Sequence, residues 1–253
     1  MTTHLCWSCA IALSVLSVTS PSANATLVSA TRSSDNVLQG NFESGASNVF
    51  LANNPNARRT GTGGAAADTR TNQPVLGFNL PAITPGEFVV GADFSITLDT
   101  PGFNGPPTFD VVISLMGGTS FTGADFVEVP GPTGLGAGNA FVGALSPGDT
   151  SSGQTETFAL TGAALSQLAS LYDASGTPSQ SEVFFRLSNS ETIDISNDQN
   201  NNSRFNFARD GAPLRVTRSL TLETSPIPEP SSLLFLAAAG GAAWLGQSRK
   251  RMA

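Results

Sequence analysis

The residue types that carry out most hydrolytic and group-transfer chemistry are missing from the middle of this 253-residue chain. Between Thr26 and Ser225 there is no His, Cys, Lys or Trp. A Ser-His-Asp triad, a Cys-His pair, a Lys Schiff base, a P-loop and a His- or Cys-ligated zinc site therefore have no residues to build them. Carboxylate chemistry survives this exclusion. Glycoside hydrolysis needs two Asp or Glu groups about 5 to 10 Å apart, and Asp93, Asp110, Glu128 and Glu182 are candidates, although acids also line the solvated faces of ordinary strands. A second oxygen-rich run, Asp194 to Asn200, sets Asp194, Ser196, Asp198 and Asn200 at alternate positions, as the first half of a calcium loop does. Gln199 stands where an EF-hand has its turn glycine and Phe205 where it has its bidentate Glu, so the run also reads as an Asn/Asp turn.

Charge and aromatic content narrow the partners. Taking Glu229 and the cations Arg249, Lys250 and Arg251 from the chain's nineteen acids and twelve bases leaves 18 and 9 in the body, a net charge of −9. Such a body does not hold nucleic acid through phosphate contacts. With no Cys it has no disulfide framework, and about 200 residues bury enough surface to fold without one. Stacked-sugar sites use exposed Trp or Tyr. The body has only Tyr172, and its fifteen Phe fall mostly on alternating, inward positions, with Phe103 and Phe121 as loop exceptions.

Period-two alternation dominates the elements that must position these groups. From Glu87 to Leu98 it assigns Phe88, Val90, Ala92, Phe94, Ile96 and Leu98 to the core and Val89, Gly91, Asp93, Ser95 and Thr97 to solvent. Further strands are expected at Val75–Leu80, Phe109–Leu115, Glu182–Leu187, Arg204–Ala208 and Leu214–Leu222, separated by turns rich in Gly, Pro, Asn and Asp. The opening segment, Thr26 to Thr71, reads as an edge strand with long loops, and Thr155-Glu156-Thr157 as plain β-surface. One helix is expected over Gly162–Asp173, capped by Thr161, with Leu165, Leu168 and Tyr172 on one side and Gly176 past its end. No internal repeat is present. The expected class is all-β: an antiparallel, jelly-roll-like β-sandwich with one short helix. Val75 to Pro81, with the Asn/Arg-rich Asn53 to Arg59 before it, resembles the first strands of secreted bacterial β-sandwich domains, which implies an extracellular sandwich and transfers no active residue.

Both ends carry targeting signals. Leu5 to Val18 is apolar, followed by a small-x-small site, Ala23-Asn24-Ala25, so residues 1–25 read as a signal peptide whose n-region lacks Lys and Arg. At the other end, Ser231 to Gly246 carries no charge and as a helix covers roughly 24 Å. Leu233, Leu234, Phe235, Leu236 and Leu245 supply the membrane-spanning run, Trp244 suits the interface, and Arg249, Lys250 and Arg251 hold that end cytoplasmic. Pro226, Pro228 and Pro230 keep the preceding stretch extended. Pro228-Glu229-Pro230, the apolar run and the basic end, in that order, resemble the PEP-CTERM sorting signal of exported bacterial proteins. That resemblance implies a partner, an exosortase-type membrane enzyme, which cuts near the triplet and passes the protein to the cell surface or an exopolysaccharide matrix. The expected organisation is a signal peptide (1–25), an extracellular domain (26–225) and a sorting segment (226–253). The expected function is a structural or adhesive surface protein without enzymatic activity or cofactor. The alternatives are a glycan-binding module, a carboxylate-based glycan-active enzyme, or a calcium-binding surface protein.

Overall fold

The computed structural model describes residues 25–41, 46–51, 56–60, 70–99, 109–126, 135–146, 152–189, 204–211 and 215–226. In chain order these form β1 (Thr26–Asn41), β2 (Ala46–Leu51), β3 (Asn56–Thr60), β4 (Arg70–Asn79), β5 (Glu87–Thr97), β6 (Val111–Leu115), β7 (Ala140–Leu145), β8 (Thr155–Ala159), the helix α1 (Gly162–Ala169), β9 (Glu182–Asn189), β10 (Arg204–Asn206), β11 (Arg209–Asp210), β12 (Arg215–Val216) and β13 (Arg218–Pro226). The class is all-β with one short helix, and every pairing between the strands is antiparallel. Among the described residues no helix is long and apolar enough to cross a membrane. The apolar run at Leu233–Leu245 and the basic residues Arg249, Lys250 and Arg251 lie outside the described residues.

The main sheet runs β7-β6-β9-β4-β1-β13-β5-β8, and β1 is its hinge. Residues 26–30 of β1 pair with β13, whereas residues 31–41 pair with β4, the register shifting between Arg32 and Asp35. A strand that passes from one sheet segment to another does so at such an irregularity. The opening segment therefore supplies a central connecting strand, not an edge. Its alternation is weak because the two halves of β1 serve different neighbours.

Side chains from both segments meet in one core. Phe94 of β5 stacks on Phe185 of β9 with centroids 4.5 Å apart, and Phe78 of β4 meets both rings edge-on at 6.1 and 5.7 Å. Each fully buried ring contributes about 1.5–3 kcal/mol of transfer free energy. Helix α1 packs beside β5 and β7 and puts Ala164 and Leu168 into the same core. It stops at Ala169, four residues short of the expected end. Tyr172 leaves the helix to bridge with Pro178, and its hydroxyl donates to the Pro81 carbonyl at 3.0 Å.

A bulge overturns part of the expected alternation in β5. Consecutive Glu223 and Thr224 of β13 pair with Gly91 and Val89, leaving Val90 as an extra residue. One extra residue moves everything before it to the opposite face. Val89 is accordingly buried, while Phe88 and Val90 are 41% and 37% exposed. Elsewhere both faces are covered, which alternation does not announce. All five residues of β6 are buried, and Phe184 of β9 joins Leu38, Val75 and Met116 in a second apolar cluster flanked by Phe121 and Phe126. Phe121, one loop candidate for sugar stacking, lies edge-on to Phe184 at 5.0 Å. Phe103, the other, lies outside the described residues.

Arg218 closes the corner of β1. It occupies the inward row of β13 with Leu220, Leu222 and Thr224, and its side chain has no exposed surface. Its guanidinium forms an ion pair with Asp35 and donates to the carbonyls of Ser34 at 3.0 Å, Gly77 at 2.9 Å and Val216 at 3.2 Å. The Val216 N–H donates to the other Asp35 oxygen at 2.7 Å. The irregular backbone of the corner is thus satisfied by one side chain. Gly77 is required beside it, because a Cβ there would collide with the hydroxyls of Ser33 and Ser34. Burial brings the Arg218 guanidinium down to about 10; Asp35 opposes the fall, and Arg32 and Arg215 add to it.

Two measurements test this packing. Removing one member of a buried ion pair strands the other charge, so Arg218→Met should cost about 3–5 kcal/mol in denaturant unfolding, and adding Asp35→Leu should recover only part of the loss, because the Ser34, Gly77 and Val216 carbonyls and the Val216 N–H stay unpaired. Tyr172 is the chain's one tyrosine, and burial pushes its phenol up to about 12 from the ordinary value near 10. Its tyrosinate absorbance should appear with a midpoint about two pH units above free tyrosine. Because the folded-state value is the higher one, its stabilising contribution is whole below about pH 10 and is lost as the pH rises toward 12. A midpoint near 10 would show an unburied phenol.

Candidate functional site

The segment expected to meet an enzyme leaves the fold at the end of β13. That strand lies between β1 and β5, with Thr224 opposite both Thr26 and Val89, Ser225 opposite Phe88, and Pro226 opposite Glu87. Thr224 is fully buried, and its hydroxyl donates to the Glu87 carboxylate at 2.6 Å. The sheet therefore grips the chain through Pro226. Because Thr26 pairs with Thr224, the start of β1 stands beside the exit of the tail. Ala25 is exposed just before β1; Ala23 and the Pro228-Glu229-Pro230 triplet lie outside the described residues.

Asp110 and Glu182 are not brought together. Glu182 pairs with Asn79 at one end of β9, whereas Asp110 precedes Val111, which pairs with Asn189 at the other end. Seven residues of strand separate them by about 23 Å. Asp93 is exposed on β5, on the face opposite the core-facing Phe94, and Glu182 likewise alternates with the core-facing Val183. Asp93 and Glu182 thus lie on strands that the sheet order separates by β13, β1 and β4. The separation of Asp110 from Glu182 exceeds the spacing of a glycosidase dyad. Glu128 lies outside the described residues, as do the calcium candidates Asp194, Ser196, Asp198 and Asn200.

Two clefts remain. The first, of about 300 Å³, is lined by Leu115, Met116, Gly117, Gly138, Gln167 and Leu171, and the Gln167 amide is spent on the Met116 carbonyl at 3.0 Å. The second, of about 580 Å³, lies over the corner of β1, where Arg32, Arg215 and Arg218 converge with Thr31, Ser219 and Gly211. Arg32 forms an ion pair with Asp210, whose carboxyl is held below its ordinary range chiefly by that hydrogen bond. The signal in the sequence was the spacing of Arg209, Arg215 and Arg218, three arginines within ten residues of an acidic chain, which reading by strand period passes over.

The grip on the tail is testable by Thr224→Val, which keeps the shape and removes the hydroxyl that Glu87 accepts. A hydrogen bond to a charged group is worth about 1.5–3 kcal/mol. The variant should lose that much stability, and the amides of Thr224 and Ser225 should exchange faster with deuterium; unchanged exchange would mean that the strand end is held by other contacts.

No curated protein matches this chain. A family model does match its C-terminal segment: residues 226–250 carry the PEP-CTERM protein-sorting motif, which implies export, membrane-associated sorting and processing by an exosortase.

Proposed function

We propose that the chain is an exported surface protein, without enzymatic activity or cofactor, whose folded body is delivered to the cell surface or an exopolysaccharide matrix once the sorting segment has been processed. Its role there is structural or adhesive. The observation that carries this is the sorting motif at residues 226–250, which follows directly on β13, the last strand among the described residues. A protease needs an extended segment free of the fold, and the three prolines from Pro226 to Pro230 favour such a segment. Residues 231–246 then serve as a transient membrane helix with the basic end cytoplasmic, and residues 1–25 as a cleaved signal peptide.

A jelly-roll-like β-sandwich is the architecture we assign to the body. Strand order supports it: counting only β1, β4, β5, β6, β7, β8, β9 and β13, the first, eighth, third and sixth lie side by side in one segment and the second, seventh, fourth and fifth in the other. The scattered carboxylates weigh against the glycan-active enzyme.

Recognition of the segment rests on its shape and on one carboxylate, Glu229. Replacing it by Ala should leave full-length protein in the membrane fraction, with little at the surface, when cell fractions are compared by immunoblot. Wild-type release of Glu229→Ala would remove the sorting motif from the mechanism.

A further inference from the structure

The cationic cleft has no counterpart in the sorting reading, since it lies on the body and is independent of how the tail is processed. Its composition is at odds with its surroundings. The body carries −9 and only nine cations, none of them Lys, yet three arginines line one cleft. Two of the three have structural work. Arg218 holds the corner of β1 against Asp35, and Arg32 pairs with Asp210 and donates to the Val216 carbonyl at 3.3 Å. Arg215 has none comparable among the described residues: its one hydrogen bond there is to the Arg32 carbonyl at 3.5 Å, at the outer limit for such a bond. Although Arg215 stands opposite Asp210 in the β11–β12 ladder, Asp210 is engaged by Arg32. Among the described residues, two carboxylates, Asp35 and Asp210, stand against three guanidiniums, which leaves one net positive charge and a planar fork of donors with a single long bond. Clustered cations repel, and Arg32 and Arg215 both make it harder for Arg218 to hold its proton. An anion in the cleft relieves that repulsion.

We propose that this cleft binds the carboxylate of a hydroxylated ligand, an acidic sugar, with Arg215 as its principal contact. The guanidinium fork matches a carboxylate in two parallel hydrogen bonds, which an ammonium does not. The rest of the lining fits a sugar. Thr31 and Ser219 are exposed there, and about 580 Å³ lies within the range of small-ligand sites. Ser219 also begins a row of hydroxyls that leaves the cleft across the outer face of the sheet. It pairs with Ser95, whose hydroxyl meets that of Thr157 on β8 at 2.8 Å, and the neighbouring Thr97 and Thr155 are joined in the same way. Successive strands are about 4.8 Å apart, so the row continues the cleft as a hydroxylated surface. Such a surface suits either a free sugar acid, held in the cleft alone, or a uronate within a polysaccharide that runs along the row.

Calorimetric titration of the full chain in detergent distinguishes these with galacturonate, tetragalacturonate and neutral maltotetraose. Both acidic sugars should bind saturably and the neutral one should not, and affinity should fall at least tenfold in Arg215→Gln and on raising salt from 20 to 300 mM, as expected for a charge-led site. Tetragalacturonate binding more than tenfold tighter than the monomer assigns the site to a polysaccharide; equal affinities assign it to a free sugar acid. Ser219→Glu, on the exposed lining, should weaken binding as Arg215→Gln does without lowering the melting temperature. The proposal is overturned if neither acid binds, if maltotetraose binds as well as the uronates, or if Arg215→Gln binds like the wild type.

Discussion

A strand that serves two sheet segments must turn where its ladder is broken, and the backbone groups freed by the break need partners away from water. In this chain that constraint falls on β1 between Arg32 and Asp35 and is met by Arg218. One guanidinium collects the carbonyls of Ser34, Gly77 and Val216, and its charge is matched by Asp35, which in turn accepts from the Val216 N–H. Buried pairs of this kind contribute little net stability relative to apolar packing, yet they are costly to break singly and specify one arrangement. Phe78 lies against the Arg218 guanidinium, 5.2 Å from ring centroid to Cζ, and so ties the corner to the aromatic core it shares with Phe94 and Phe185.

From that corner the rest of the architecture follows. Fixing β1 brings β4 and β13 to its two halves, and β13 then carries the chain to Pro226 beside the start of β1 at Thr26. The first and last strands of the described body thus begin and end side by side within the sheet. The same corner exposes Arg32 and Arg215 to a common cleft, so the device that bends the strand also concentrates positive charge on an acidic molecule.

Much of this was legible in the residues, and the failures have physical causes. Phe94, Ile96, Leu98, Val183, Phe185 and Leu187 take the inward places that period two assigns them, and the lack of His, Cys, Lys and Trp in the body is a matter of composition alone. Phe88 and Val90 do not, because a bulge is a property of two paired strands and leaves no mark in one. Val112, Phe184 and Arg186 were obscured for another reason: both faces of β6 and β9 are covered, so polarity stops reporting orientation. Helix α1 ends early because Tyr172 gains a strand bridge and a buried hydrogen bond to Pro81, tertiary contacts that helical spacing cannot register. The cationic cleft was half legible, since Arg215 and Arg218 are close in sequence, but Arg32 joins them only through the fold.

Residues 226–250 give the chain its address, and they follow directly on the strand β13. The central claim is that one folded unit, from Thr26 to the end of β13, is what reaches the cell surface. Intact-mass and terminal-peptide mass spectrometry of the protein recovered from the surface tests it most directly. The account predicts an N-terminus at Thr26 and a C-terminus between Pro226 and Pro230, with the apolar run gone. Surface protein that still ends at Ala253, or that is cut within β13, would contradict it.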